Sequence, residues 1–415
     1  MNRHHFLKTL TGVATLAFTS PMAEADNRIL GSAAPDPFPN WPLPDLRKAL
    51  PNPVSIRSVE LLKTQGRMLL VVTAEDGAKG ITQCNDRMPN LTSLLKGLVL
   101  PHFLGKDARD LPQLVDNAYR LNSNYKYAGM PLWNSIGSVE IATWDLLGQL
   151  TRKPVYALLG KPIRNEYEVY ISDFYRGGEL VGGVVNRLAE KLVATGARGV
   201  KIKVGGRMQN TPEDDRRTRQ FVPLVRKTLG DAAIIYADGN GSFSTKEGIE
   251  AGKFLESYGV AIFEEPCSFE DEDGMRQVNQ ALTKIMLAGG EQDSSLYRFE
   301  RLSRTGVYDL YQPDLYYNGG ILRTLQVAEI VRQHGKQFAP HTPKADPLIG
   351  PFWQVAALAT NLYGLQEFVY NPGEKPASWY SPAIQVQNGK MTIPNTPGLG
   401  IQYDEGIWKG AERVV

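Results

Sequence analysis

Apolar and polar positions divide this chain into stretches of different rhythm. Between 26 and 53 no period survives, because Pro35, Pro37, Pro39, Pro42, Pro44, Pro51 and Pro53 each fix φ and remove a backbone donor. This segment reads as an extended arm. From 54 the pattern becomes regular. Residues 56–62 and 68–73 read as strands on either side of a tight turn at Gln65-Gly66. Helical spacing follows over about 91–121 and 137–150, where SVEIATWDLLGQL repeats apolar residues at helical intervals. Strands followed by helices predict an α+β unit over 54–164.

The next stretch, 165–388, repeats another unit. Strand-like runs at 167–172, 199–204, 234–238, 261–264, 285–291, 307–314, 336–341 and 367–370 alternate with amphipathic helical patterns. Such alternation predicts a parallel α/β barrel of TIM type with outer helices. The last stretch, 389–415, is broken by glycine and proline, and is expected to return to the first unit.

Composition narrows the function classes. The chain has 415 residues, 42% hydrophobic and 22% charged, with a formal net charge of +2. That balance gives no electrostatic case for nucleic acid or a membrane surface as partner. Cys84 and Cys267 are too few for a disulfide framework and read as separate thiols. At the N-terminus, Arg3, His4, His5 and Lys8 precede a mostly apolar stretch over 9–18, and Ala23-Glu24-Ala25 supplies a cleavage pattern. Residues 1–25 therefore read as a signal for export, to a bacterial periplasm, by a Sec or Tat-like route. Residues 2–8 resemble a twin-arginine signal with His4 in place of the second arginine. The alternative is an N-terminal tail on a cytoplasmic protein.

Three carboxylates bring in the chemistry. Asp238, Glu264 and Glu291 each close a predicted strand, 26 and 27 residues apart, about one βα unit. Three such carboxylates at a barrel mouth would repel one another and suit a hard cation, Mg²⁺ above all. Lys201 and Lys203, two apart on one strand, share a face that in a closed barrel points inward. Asp314 and His341 end neighbouring predicted strands. A carboxylate on one imidazole nitrogen fixes the tautomer and leaves the other nitrogen for proton transfer.

This ordered set, Lys-x-Lys, Asp, Glu, Glu, Asp and His, resembles the enolase superfamily, mandelate racemase subgroup. The local sequences Gly-Val-Lys-Ile-Lys-Val-Gly, Phe-Glu-Glu-Pro and Gln-Pro-Asp before Asn318-Gly319-Gly320 resemble that subgroup too, from about 54 to the end. The resemblance implies a (β/α)7β barrel under an α+β cap. It implies Asp238, Glu264 and Glu291 as ligands of one Mg²⁺ per subunit. It implies Lys203 and His341 as opposed acid–base groups, Asp314 behind His341, and Lys201 on the substrate carboxylate. Asn240 and Glu367 are the substrate-binding positions it implies, and a homo-oligomer, a dimer or octamer, is its implied assembly. Glu264 rather than Glu265 matches the ligand, and strand alternation turns Glu265 to the other face.

Bases on two sides of an α-carbon permit two outcomes: dehydration of a sugar acid to a 2-keto-3-deoxy acid, or racemisation or epimerisation of a 2-hydroxy or sugar acid. Dehydration is favoured because residues 174–177 and the loop 342–350, with Lys344 and Asp346, offer polar groups to a hydroxylated acid. The sixth barrel strand carries Asp314, not the lysine of the superfamily's lactonising members. A non-catalytic exported binding protein on this fold, or a Schiff-base aldolase using Lys201 or Lys203, are the alternatives. The hairpin at Gln65-Gly66 is unusually short for a lid, so Cys84-Asn85-Asp86-Arg87 is expected to supply part of the cover, and the site to be more open than a lidded one or else closed by the proline arm or a neighbouring subunit.

Overall fold

The computed structural model describes residues 41–43, 45–341, 345–373 and 377–415. The export signal and the arm before Trp41 lie outside the described residues, as does Lys344. A short turn, α1 (Leu46–Ala49), leads into the antiparallel strands β1 (Ile56–Thr64), β2 (Arg67–Ala74) and β3 (Lys79–Gln83). Gln65 and Gly66 both have positive φ, at 46° and 76°, the two-residue turn that suits the right-handed twist of a hairpin.

The helical pattern expected over 91–121 is broken in the structure. It holds a single turn, α2 (Thr92–Leu94), tighter and wider turns after it, and then α3 (Leu111–Arg120). Pro101 and Gly105, the latter at φ 70°, interrupt what the apolar spacing alone would join. The pattern at 137–150 instead extends in both directions into α4 (Met130–Thr151), followed by α5 (Val155–Leu159). Nearly every residue of α4 from Leu132 to Gly148 is buried, since the helix packs between the sheet and the barrel.

The joint between α4 and the barrel depends on two glycines. A Cβ on Gly137 would stand 2.8 Å from the backbone of Gly319 and Gly320. A Cβ on Gly320, whose φ is 103°, would stand 2.2 Å from Glu140 Oε2. With the backbones this close, Glu140 accepts the N–H groups of Ile321 (3.0 Å) and Leu322 (3.0 Å) and the indole N–H of Trp144 (2.9 Å).

The barrel strands are β4 (Glu166–Ser172), β5 (Gly199–Lys203), β6 (Ile234–Asp238), β7 (Ile262–Glu264), β8 (Met286–Gly289), β9 (Leu310–Tyr311), β10 (Gln337–Phe338) and β11 (Leu365–Phe368). They are joined in turn by α6 (Val181–Thr195), α7 (Pro212–Leu229), α8 (Thr245–Ser257), α9 (Glu272–Ala281), α10 (Leu296–Thr305), α11 (Ile321–Gln333) and α12 (Gly350–Ala356). Neighbours pair in parallel, and β11 lies beside β4. A parallel bridge between Phe338 and Leu362 closes the ring. This is a (β/α)7β barrel. β9 and β10 are shorter than the runs 307–314 and 336–341 predicted, but an isolated bridge between Asp314 and His341 holds those two chain segments together.

Two residues per strand set the barrel's vertical order. Tyr170, Tyr236, Ile262, Ala288, Leu310, Ala339 and Leu365 form a separate apolar cluster inside the ring, with Tyr170 stacked on Tyr236 at 4.2 Å. Two positions further along β6, β7 and β11, on the same face, stand Asp238, Glu264 and Glu367. An apolar floor thus underlies a polar layer at the C-terminal end of the strands.

The C-terminal stretch divides its pairings. β12 (Tyr380–Ser381) pairs with β14 (Gln402–Tyr403), β13 (Lys390–Thr392) lies antiparallel to β4 of the barrel, and β15 (Glu412–Arg413) adds to β1 of the cap. Cys84 and Cys267 are buried free thiols. No helix among the described residues is long and apolar enough to cross a membrane.

Candidate active site

The nine residues singled out in the sequence meet at the C-terminal end of the barrel. Lys201 and Lys203 project inward from β5, 1% and 4% exposed. Lys201 Nζ lies 3.1 and 3.0 Å from the two oxygens of Glu264 and 2.8 Å from Glu367 Oε1. Lys203 pairs with Asp238. Asp238 also accepts the Asn240 N–H at 2.8 Å, and Asn240 Oδ1 takes a hydrogen bond from Arg176. His341 Nδ1 is 2.8 Å from Asp314 Oδ2, while Nε2 faces Glu291 at 3.3 Å and Glu367 at 4.0 Å. Asp314 is itself held by the N–H groups of Tyr316 (2.9 Å) and Tyr317 (3.0 Å).

A cavity of about 450 Å³ opens above this layer. Lys201, Lys203, Asn240, Glu291, Asp314, His341 and Glu367 line it, and Asp238 and Glu264 lie just beneath. Asn85, Asp86 and Arg87 of the cap form part of its wall, whereas the Gln65-Gly66 turn does not reach it. The cap is docked at this point by Tyr316, whose hydroxyl donates to Gln83 O at 2.9 Å, and by Gln83, which donates to Asp346 at 3.0 Å. Asp346 therefore serves the joint and not the cavity wall. Of residues 174–177, only Phe174 lines the cavity, its ring centre 5.4 Å from Lys203 Nζ.

Glu265 corrects the expectation from strand alternation. β7 ends at Glu264, and Glu265 takes a left-handed φ of 39°, which turns it back to the cavity. It is 4% exposed, and its Oε1 has no hydrogen-bond partner among the described residues. Pro266, which has no N–H for the ladder, marked in the sequence that the strand stops nearby, but nothing there signalled the left-handed turn at 265. Glu291 likewise sits past its strand, after Gly290 at φ 107°, not on the strand as its run suggested.

Charge is unevenly balanced. Asp238, Glu264, Glu265, Glu291, Asp314 and Glu367 face two lysines and one imidazole. Burial, with Lys201 opposing and Asp238, Glu367 and Glu291 adding to it, pushes Glu264 up to about 7. Burial and the Glu291 and Asp238 charges raise Glu265 well above the carboxylate range. Burial would also raise Asp238 and Glu367, but the lysines outweigh it and hold both at about 2, helped at Glu367 by His341. Burial would lower His341, yet Glu291, the Asp314 hydrogen bond and Glu367 bring it up to about 9.

Among the described residues, no three acidic, histidine or cysteine side chains converge as a ready set of metal ligands. Each of the three candidate carboxylates is turned to a cation of the protein: Asp238 to Lys203, Glu264 to Lys201, Glu291 to His341. The donor set still suits a hard divalent cation. It offers carboxylate oxygens at the C-terminal ends of three consecutive barrel strands, in a layer whose negative charge its own cations do not match.

Two family models match the chain. The mandelate racemase/muconate lactonizing enzyme N-terminal domain matches residues 44–160, and the enolase C-terminal domain-like model matches 184–407. The chain belongs to the mandelate racemase/muconate lactonizing enzyme group of the enolase superfamily. Arabinonate dehydratase of Saccharolobus solfataricus is 25% identical over 316 residues, 76% of this chain and 82% of the relative. L-talarate/galactarate dehydratase of Salmonella typhimurium is 26% identical over 313 residues, 74% of this chain and 72% of the relative. D-galactarolactone cycloisomerase of Agrobacterium fabrum is 26% identical over 354 residues, 82% and 89% of the two chains. A mandelate racemase/muconate lactonizing protein of Paracoccus denitrificans, solved in complex with magnesium, superposes with a TM-score of 0.78 at 26% identity, covering 87% of this chain and 99% of that one.

Proposed function

We propose that this member of the mandelate racemase/muconate lactonizing enzyme group is a sugar-acid dehydratase. It takes the proton α to a carboxylate and releases the β-hydroxyl as water, giving a 2-keto-3-deoxy acid. The observation that carries this reading is the pairing of Lys203 with the His341–Asp314 dyad across one cavity. β5 and β10 are three places apart by the shorter way round the eight-stranded ring, so the two groups approach a bound acid from different sides.

Asp238, Glu264 and Glu291 would hold Mg²⁺, which supplies positive charge to the substrate carboxylate as the α-carbon loses its proton. Lys201, deep in the polar layer, adds a second positive charge to that carboxylate. Lys203 Nζ, once neutral, takes the α-proton. The electron pair left on the α-carbon forms the Cα–Cβ double bond as the Cβ–O bond breaks. His341 Nε2 gives its proton to the departing hydroxyl, and Asp314 stabilises the ring in the required tautomer. The enol then becomes the 2-keto acid. Asn240 and Glu367 orient the acid. The family membership and the dehydratases among its relatives support a lyase, and the cycloisomerase relative supports an isomerase as the second reading. In that case His341 returns its proton to the α-carbon instead.

The test is a panel of sugar acids with the purified chain and Mg²⁺ in D₂O, followed by proton NMR. A new 3-deoxy CH₂ signal supports dehydration. α-Deuteration with an inverted centre and no CH₂ would replace it by epimerisation, and an inert panel would sink both. We also propose that the chain is exported and assembles as a homo-oligomer. A mature N-terminus near Asp26 and the particle mass in solution test them.

A further inference from the structure

The loop between β5 and α7 is held more firmly than its exposure requires. Gly205 N donates to Thr218 Oγ1 at 2.9 Å, and Met208 N donates to Asn240 O at 3.0 Å. The Gly205 and Gly206 carbonyls accept from Arg176, and Gly205 also accepts from Arg217. Arg217 is tied in turn to Asp214 at 2.7 Å and to the Arg176 carbonyl at 2.8 Å. These bonds account for Arg176 and Arg217 but not for Arg207, which lies on the cavity wall and is exposed.

Every other lysine or arginine on that wall has a partner. Lys201 has Glu264 and Glu367, Lys203 has Asp238, and Arg87 donates through Nε to the Tyr317 hydroxyl at 3.3 Å. Among the described residues, the Arg207 guanidinium has no hydrogen bond, ion pair or ring contact. A fixed backbone thus presents a free planar cation at the cavity's rim, while Lys201 stands in its floor. A guanidinium binds a carboxylate or phosphate through two parallel hydrogen bonds, which a neutral hydroxymethyl group cannot match.

We propose that Arg207 selects substrates with a second anionic group at the end remote from the reacting carboxylate, that is, sugar diacids in preference to sugar monoacids. This rests on the dehydratase reading above and names its substrate class. A distal phosphate shares the recognition chemistry, so the panel pairs six-carbon sugar diacids with the matching monoacids and their 6-phosphates. With Mg²⁺ and the full chain, a doubly anionic acid should have the higher kcat/KM. Arg207→Gln should lower the ratio of its kcat/KM to that of the monoacid by about tenfold or more, and Arg207→Lys should recover part of it. Whichever doubly anionic acid is preferred identifies the source of the charge. A merely structural role would lower both values together and leave the ratio, which overturns the inference, as would a monoacid preferred by the unaltered chain. In both of those cases the dehydratase reading stands. If no member of the panel loses its α-proton, that reading falls and the inference with it.

Discussion

Two buried carboxylates, Glu140 at the joint between cap and barrel and Glu264 at the barrel mouth, are both pushed up to about 7, yet their surroundings differ. Glu140 is met by neutral, fixed donors: two N–H groups at the start of α11 and one indole. Glu264 is met by Lys201, with Gln312 donating at 3.1 Å, in a layer crowded with other acids. Backbone donors cannot be withdrawn without unfolding a helix end, whereas a lysine can exchange its partner. Burial of charge at the joint therefore fixes the position of the cap, and burial of charge at the mouth leaves charges that a substrate and a cation can rearrange.

The largest expected effect lies at the mouth. Lys203→Met and His341→Asn should each lower kcat for formation of the 2-keto-3-deoxy acid by about 10³-fold or more, with the thermal unfolding transition kept. A collapse of that transition would mean that these residues belong with Glu140 as structural groups. Next comes metal. Chelation should suppress α-proton exchange by about 10²-fold or more and added Mg²⁺ restore it, and exchange indifferent to both would remove the cation from the site.

At the joint the effect should fall on stability. Glu140→Ala strands the Ile321 and Leu322 N–H groups and the Trp144 indole, at an expected cost of about 3 kcal/mol in denaturant unfolding. An unchanged midpoint would show that the joint is held by packing alone. The smallest effect is the pH dependence. The folded-state pKa of Glu140, about 7, exceeds its ordinary value of 4.5, and that of Asp145, about 6, exceeds 3.8, both through burial. The folded chain then holds more protons than the unfolded chain between those limits, so their contribution to stability declines as pH rises through the window and levels off above 7. The stability of the unaltered chain relative to Glu140→Gln should therefore fall between pH 4.5 and 7. A gap that widens with pH would reverse the assignment.

Much of this was legible because barrels repeat. The alternation of strand and helix, and carboxylates about one βα unit apart, place Asp238, Glu264 and Glu291 at the ends of successive strands without any knowledge of side-chain contacts, although Glu291 falls just past its strand. Inward-facing Lys201 and Lys203 follow from a period of two. Period reasoning stops where strands stop. Glu265 turns inward on a positive φ that alternation does not describe, and Arg207 is carried by a loop with no period. The 91–121 pattern failed for the opposite reason: apolar spacing continued while Pro101 and Gly105 broke the backbone beneath it. Glu367 had only resemblance to recommend it, and its place beside Lys201 depends on ring closure, which joins strands far apart in the chain.

That closure has a mechanical side. Among the described residues, the backbone joins β10 to the segment entering β11 through the Phe338 bridge alone, with Phe338 N–H to Asn361 O at 3.1 Å and Tyr363 N–H to Phe338 O at 2.8 Å, to which the Asn361 side chain adds a bond to Lys336 O at 3.2 Å, whereas β5 and β6 are in register over their full lengths. A cylinder under load parts at its weakest seam. His341 stands three residues past that seam, so the barrel's easiest fracture line runs beside its histidine while the lysine strand sits in the better-laced wall.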